Sequence, residues 1–249
     1  MDFVKMEGLG NDFIVVAGPA ELGPADIARW CDRRRGIGAD GVLEVSPLDE
    51  GTVRMRYWNA DGSIAEMCGN GLRCVARYAV DQGLVDVDSF VVETGAGPLP
   101  VHLEPDGSVR AFLGTAHLDA EVEFAGATLY TVNLGNPHAI QWVADPETSP
   151  VASMGPAIAT AALFPGGTNA EFARVVDGVI DLRVWERGVG ETLACGTGAG
   201  ATAYLAHRQG RTGDQVKIRL RGGTLSATID DGDGVWLQGP AVTVFSGVI

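Results

Sequence analysis

The sequence predicts an α+β protein built from two similar mixed α/β domains, related by pseudo-twofold symmetry, with a site in the cleft between them. Three observations lead there. First, landmarks recur in the same order: Trp58-Asn59 precedes Cys68-Gly69-Asn70-Gly71 by ten residues, and Trp185-Glu186 precedes Cys195-Gly196-Thr197-Gly198 by ten. Both landmarks repeat at an offset of 127 residues (58 to 185, 68 to 195), while Leu9-Gly10-Asn11 returns as Leu134-Gly135-Asn136 and Gly97-Pro98-Leu99 as Gly223-Thr224-Leu225. A period this long indicates duplicated domains, because solenoid units repeat every ~20–50 residues. Second, each half carries alternating strand-like runs, then a glycine-bearing loop, then a helix. Third, strands and helices do not alternate regularly, which disfavours a doubly wound sheet. The expected division is residues 1–115 with a C-terminal strand at 240–249 for the first domain and 116–239 for the second. The linker region is placed near 115–128.

Taken in order, Arg54-Met55-Arg56-Tyr57-Trp58 and Asp181-Leu182-Arg183-Val184-Trp185 have the period-two alternation of half-buried strands. Helices are expected over Leu72–Gln82 and Ala199–Gln209, with Gly83 and Gly210 where a C-terminal cap belongs. Asp106-Gly107 in the first half, and Asp231-Gly232 or Asp233-Gly234 in the second, read as hairpin turns.

With 249 residues there is ample chain for a core, and 46% hydrophobic residues exclude a disordered chain. The formal net charge of −14 argues against nucleic acid or an anionic membrane surface as partner, since both require a cationic face. Thirty-five glycines point to many tight turns and close backbone approaches. Met1–Gly8 lacks the basic start and apolar run of a signal peptide, and the least polar stretch, Pro150–Pro165, is broken by Ser153, Gly155 and Pro156. The four cysteines form no CxxC and no zinc-ribbon spacing. The expectation is a soluble protein of the reducing cytoplasm, with no metal.

A thiol immediately before a helix meets the positive end of the helix dipole and free backbone N–H groups, both of which favour thiolate. The flanking glycines let a carboxylate approach that backbone. Two such thiols in symmetric halves suit inversion at a carbon next to a carboxylate: one thiolate removes the α-proton and the opposite thiol returns a proton to the other face. The helix N-termini would stabilise the charge that develops on the carboxylate. No electron sink is visible; only Lys5 and Lys217 could form a Schiff base, and both lie in strand-like segments away from the cysteine motifs. The residues therefore read as a racemase or epimerase that needs no cofactor.

Met6-Glu7-Gly8-Leu9-Gly10-Asn11-Asp12-Phe13, Gly36-Ile37-Gly38-Ala39-Asp40-Gly41, Trp58-Asn59-Ala60-Asp61-Gly62-Ser63 through Cys68-Gly69-Asn70-Gly71, Gly135-Asn136-Pro137-His138, Thr168-Asn169-Ala170-Glu171-Phe172 and Glu186–Gly198 together resemble diaminopimelate epimerase, over essentially the whole chain. The resemblance implies interconversion of LL- and meso-diaminopimelate, for lysine and peptidoglycan precursors, without cofactor or metal. It implies Cys68 and Cys195 as the acid–base thiols. Gly69-Asn70 and Gly196-Thr197 would hold the reacting carboxylate through backbone N–H groups. Asn11, Asn59, Asn136, Asn169, Glu186 and Arg187 would line the rest of the pocket, with Asn59, Asn169 and Arg187 at the far carboxylate and Glu186 near an amino group. His138 would assist ionisation of the thiols. Family members are often dimers, so the implied partners are a small-molecule amino acid and a second copy of the chain. Gly41 stands where some members carry a substrate-touching glutamine, Ala139 follows Asn-Pro-His where a cysteine is frequent, and Gly200 replaces another frequent cysteine or small residue.

Singly, each of the four asparagines reads as a turn or cap residue, and Glu186 with Arg187 as a solvated pair. Cys31 and Cys74 read as inert packing residues, and His102, His117 and His207 are assigned no role. Two competing functions stay open at this level. One is a two-cysteine racemase for another amino acid, of the histidine or proline type; the other is a binding protein in which Cys68 and Cys195 form a redox switch.

Overall fold

The structure, a computed structural model, describes residues 1–249. The chain separates into two compact units, Met1–Ala111 with Gly239–Ile249, and Phe112–Gln238. The first contains β1 (Asp2–Gly8), β2 (Asn11–Ala17), α1 (Pro24–Cys31), β3 (Gly41–Asp49), β4 (Thr52–Asn59), β5 (Ile64–Ala65), α2 (Gly69–Asp81), β6 (Ser89–Thr94) and β7 (Gly97–Leu103), and begins β8 (Val109–Thr115). The second contains β9 (His117–Phe124), β10 (Ala127–Asn133), β11 (Pro137–Trp142), α3 (Val151–Ala159), β12 (Asn169–Val176), β13 (Val179–Glu186), β14 (Gly190–Thr192), α4 (Gly196–Arg208), β15 (Gln215–Leu220), β16 (Gly223–Ile229) and β17 (Gly234–Gly239). The last strand, β18 (Val242–Val248), returns to the first unit and pairs with β1.

The duplication extends to the hydrogen-bond ladders. In the first unit β1–β2 is antiparallel, β2–β3 parallel, β3–β4 antiparallel, β4–β6 parallel and β6–β7 antiparallel. In the second, β10–β11, β11–β12, β12–β13, β13–β15 and β15–β16 repeat the same order of orientations. The register repeats too: Phe13 lies opposite Gly41, and His138 opposite Asn169. An edge strand completes each sheet, β18 beside β1 and β9 beside β10. Both units are mixed, which agrees with the expected α+β class.

Each unit packs its longer helix against several of its strands. Nearly every residue of α2 from Gly69 to Ala79 is buried, and α4 is buried from Gly196 to Ala206. A helix buried on all sides needs small or apolar residues all round, and α4 meets this with Gly-Thr-Gly-Ala-Gly-Ala-Thr-Ala. A Cβ at Gly200 would meet Leu134 and Val235 at 3.0 Å. Gly83 and Gly210 end the two helices at φ of +65° and +66°, the left-handed conformation expected of them.

The helix starts differ from the sequence expectation. Both begin three residues earlier, at Gly69 and Gly196, directly after the cysteine. The cause is an unusual cap. Cys68 Sγ accepts from Gly71 N–H (3.5 Å), and Cys195 Sγ accepts from Gly198 N–H (3.4 Å), so a sulfur does what a serine or aspartate oxygen does at most N-caps. The glycines thus form the first helical turn rather than a loop before it. Cys31 and Cys74 are buried, and burial pushes their thiols up to about 11 and about 12. No helix is long and apolar enough to cross a membrane.

Candidate active site

In the first unit Cys68 caps α2 opposite the start of β2. Its thiol donates to Asn11 Oδ1 (3.5 Å), which also accepts from Asn70 Nδ2 (3.3 Å). Asn11 is held in that orientation because its Nδ2 donates to Asp40 Oδ2 at 2.7 Å. Asp40 belongs to an ionic knot with Arg33, Asp12 and Lys5: Arg33 bridges both carboxylates at 2.7 Å, and the buried Lys5 ammonium binds Asp12 and the Gly38 carbonyl. Burial opposes ionisation of Asp12, but hydrogen bonds and charge from Arg33 and Lys5 outweigh it and bring its carboxyl down to about 2. Lys5, expected to be remote from the cysteine motif, thus anchors the turn that carries Asn11.

The second unit builds the same frame from different chemistry. Asn136, the counterpart of Asn11, donates from Nδ2 to Thr197 Oγ1 (3.2 Å), and Thr197 Oγ1 lies 3.6 Å from Cys195 Sγ. Asn136 Oδ1 pairs with His138 Nε2 at 2.9 Å, while His138 Nδ1 pairs with Glu171 Oε1 at 2.6 Å. Histidine and glutamate are both fully buried. Glu186 accepts hydrogen bonds from Thr192 Oγ1 and from the Cys195 thiol. Burial raises the carboxyls of Glu171 and Glu186 above the ordinary range. Burial, then the negative charges of Glu186 and Glu171, push the Cys195 thiol well above its usual value; Thr197 and the Gly198 N–H pull the other way. Here the buried thiol is kept protonated until its surroundings change charge.

Within each unit the structure groups Cys68, Gly69, Asn70 and Asn11, and Cys195, Gly196, Thr197, Asn136, His138 and Glu186. His138 differs from its expected place. Both ring nitrogens are engaged, so within its unit it reaches Cys195 only through Asn136 and Thr197. Asn169 is 6% exposed and its amide serves the backbone, accepting from Arg187 N–H (2.9 Å) and donating to the Pro137 carbonyl (3.1 Å). It therefore fixes the start of the Arg187 loop. Arg187 itself is exposed, with one guanidinium nitrogen on the Gly166 carbonyl at 2.7 Å. Asn59 donates to Ser63 Oγ at 3.0 Å in the turn between β4 and β5. Sequence reasoning left out Glu171, Asp40 and Arg73. Glu171 had a usable signal, a carboxylate on the strand-like segment just after Asn169.

No cluster of three His, Cys, Asp or Glu side chains is placed to hold a metal ion. A separate groove of about 360 Å³ on the second unit includes none of these residues; its arginines, 174, 219 and 221, are all paired with acids.

The model of the family described as diaminopimelate epimerase matches residues 3–118 and 130–244. The chain belongs to the diaminopimelate epimerase family. It is 42% identical to a diaminopimelate epimerase of Moorella thermoacetica, covering 99% of this chain and 98% of that one. Identity to the diaminopimelate epimerase of an Azoarcus species is 43%, over 98% and 97%. Solved structures extend the likeness of fold alone. A Bacillus anthracis protein of the PhzF family superposes with a TM-score of 0.77 at 17% identity, covering 100% of this chain and 99% of that one. A probable proline racemase from Agrobacterium radiobacter superposes at 0.74, also at 17% identity, over 100% and 92%. Diaminopimelate epimerase membership is thus carried by sequence across both halves, including both cysteine motifs.

Proposed function

We propose that the protein interconverts LL- and meso-2,6-diaminopimelate without a cofactor, with Cys68 and Cys195 acting on opposite faces of the same α-carbon. The observation that carries this reading is the duplicated cysteine N-cap: each thiol sits at the first turn of a buried helix whose N–H groups point outward with it. One thiolate takes the α-proton while the other thiol donates a proton to the opposite face, so the stereocentre inverts and the pair exchanges protonation states. Free N–H groups at Gly69-Asn70 and Gly196-Thr197 receive the α-carboxylate and stabilise the negative charge that grows on it as the C–H bond breaks. Glu186, buried beside Cys195, accepts from the substrate ammonium. Arg187, fixed at its backbone by Asn169, binds the far carboxylate with Asn59. Asn11 and Asn136 orient the two thiols.

The product serves lysine and cell-wall precursor synthesis in the reducing cytoplasm, where both thiols stay free. The working form is a homodimer, and sedimentation velocity at micromolar concentration reads its mass directly.

Incubation of the reduced protein with LL-diaminopimelate in deuterated water tests the reaction. The expected result is deuterium at one α-carbon together with meso product. Absence of both with free thiols, or a preference for a mono-carboxylic amino acid such as proline or histidine, overturns it.

A further inference from the structure

The duplicated halves differ most in the charge placed beside each thiol. Arg73 is fully buried, yet forms no ion pair with a carboxylate. Its guanidinium folds back along α2 and donates to Gly69 O (3.3 Å), Asn70 Oδ1 (2.8 Å) and Pro240 O (3.3 Å). A cation there is disfavoured twice, by burial and by the positive end of the helix dipole. Burial accordingly lowers its affinity for a proton, and the groups that restore it are Cys74, Cys68 and Glu7. Cys74 stays neutral, since burial pushes it to about 12. Glu7 is half-buried and accepts from Gly10 N–H at 2.8 Å. Cys68 immediately precedes the two residues that hold the guanidinium. At the equivalent place in the other half, 127 residues on, stands Gly200, and the charges near Cys195 are those of Glu171 and Glu186.

We infer that Arg73 is the buried counter-cation of Cys68, a positioning residue that makes Cys68 the thiolate and Cys195 the thiol in the free protein. This rests on the proposed two-thiol reaction for its meaning but not for its test. The assignment gives the pair one negative charge rather than two or none, which a one-base, one-acid reaction requires. Around Cys68 the remaining groups are dipoles or are paired: the Gly71 N–H favours thiolate, the Asn11 carbonyl favours thiol, and Asp40 and Asp12 are neutralised by Arg33 and Lys5. Around Cys195 the His138–Glu171 pair is internally balanced, which leaves Glu186 as the unbalanced anion. The full charges, Arg73 on one side and Glu186 on the other, therefore decide where the proton rests.

Alkylation with iodoacetamide, followed peptide by peptide across pH 5–10, reads each thiol separately and needs no substrate. In the unaltered protein Cys68 is expected to react with a midpoint at least one pH unit below that of Cys195. Arg73→Met should raise the Cys68 midpoint by a unit or more and leave that of Cys195 in place, and Arg73→Lys should restore most of the difference. Equal midpoints, a lower midpoint for Cys195, or an unmoved Cys68 midpoint in folded Arg73→Met each overturn the inference. If Arg73→Met does not fold, the comparison of Cys68 with Cys195 in the unaltered protein decides alone. Failure of the diaminopimelate assay with the thiol profile intact would count against the proposed function and not against this assignment.

Discussion

Leu43 and Glu171 occupy the same place in the two halves. Val15 lies opposite Leu43, and Ile140 opposite Glu171, in matching parallel registers. Each side chain lies beneath the second glycine of its cysteine motif: a Cβ at Gly71 would come 3.2 Å from Leu43 Cδ2, and one at Gly198 would come 2.7 Å from Glu171 Oε1. Phe13 and His138 are likewise counterparts by register, so an apolar pair supports one thiol and an ionisable pair the other.

Alanine at these two glycines should therefore behave differently. The Leu43 methyl can yield a few tenths of an ångström, so Gly71→Ala is expected to fall within about 1 kcal/mol of neutral. Glu171 is fixed by His138, and Gly198→Ala is expected to cost roughly 1–3 kcal/mol. Urea unfolding of both variants measures the difference, and equal costs would contradict the rigidity assigned to the buried pair.

Cys68→Ala and Cys195→Ala should each lower net inversion by at least roughly 10²–10⁴-fold, the scale of a lost general acid or base. Conversion of LL to meso isomer, followed by chiral chromatography, is the measurement. Either variant turning over near the original rate would remove the two-thiol mechanism.

Glu186→Gln keeps the hydrogen bond to Thr192 but deletes an anion that raises the Cys195 thiol. The Cys195 alkylation midpoint should move to lower pH, with Cys68 unaffected, and KM for diaminopimelate should rise as the ammonium loses its partner. A midpoint that rises or stays put would show that burial alone governs this thiol.

Asp12 offers a pH-dependent contribution to folding. Its carboxyl lies at about 2 in the folded chain against a model value of 3.8, so the ionised form is the one that folding favours. That stabilisation, on the order of 2 kcal/mol, is fully present above about pH 4 and is lost as pH falls toward 2. The stability deficit of Asp12→Asn should accordingly be largest near neutrality and shrink below about pH 4, as read by denaturant titration at several pH values. A deficit independent of pH would place the effect in packing rather than charge.

The duplication, the principal strands and the capping glycines were all legible in the sequence, because each leaves a local signature of period, spacing or backbone conformation. The helix starts were not, since cysteine is outside the usual capping set and glycines suggest a turn before they suggest a first helical turn. Charged partners were also hidden. Lys5 meets Gly38 across 33 positions, and His138 meets Glu171 across 33. Only the parallel strand pairs bring such residues together. Arg73, five positions after Cys68, lies on a helix whose burial on every side depends on strands from throughout the first unit, so its sequence context alone suggests an ordinary exposed side chain.

A sulfur that closes a helix end while also shuttling protons answers to two demands that favour different atoms. Oxygen is the stronger cap and the poorer base at neutral pH, so Cys68→Ser or Cys195→Ser should yield a chain at least as resistant to unfolding, yet inert. Each of the two positions is thus a point where selection for robustness and selection for turnover pull apart, and keeping cysteine at both marks which one prevailed.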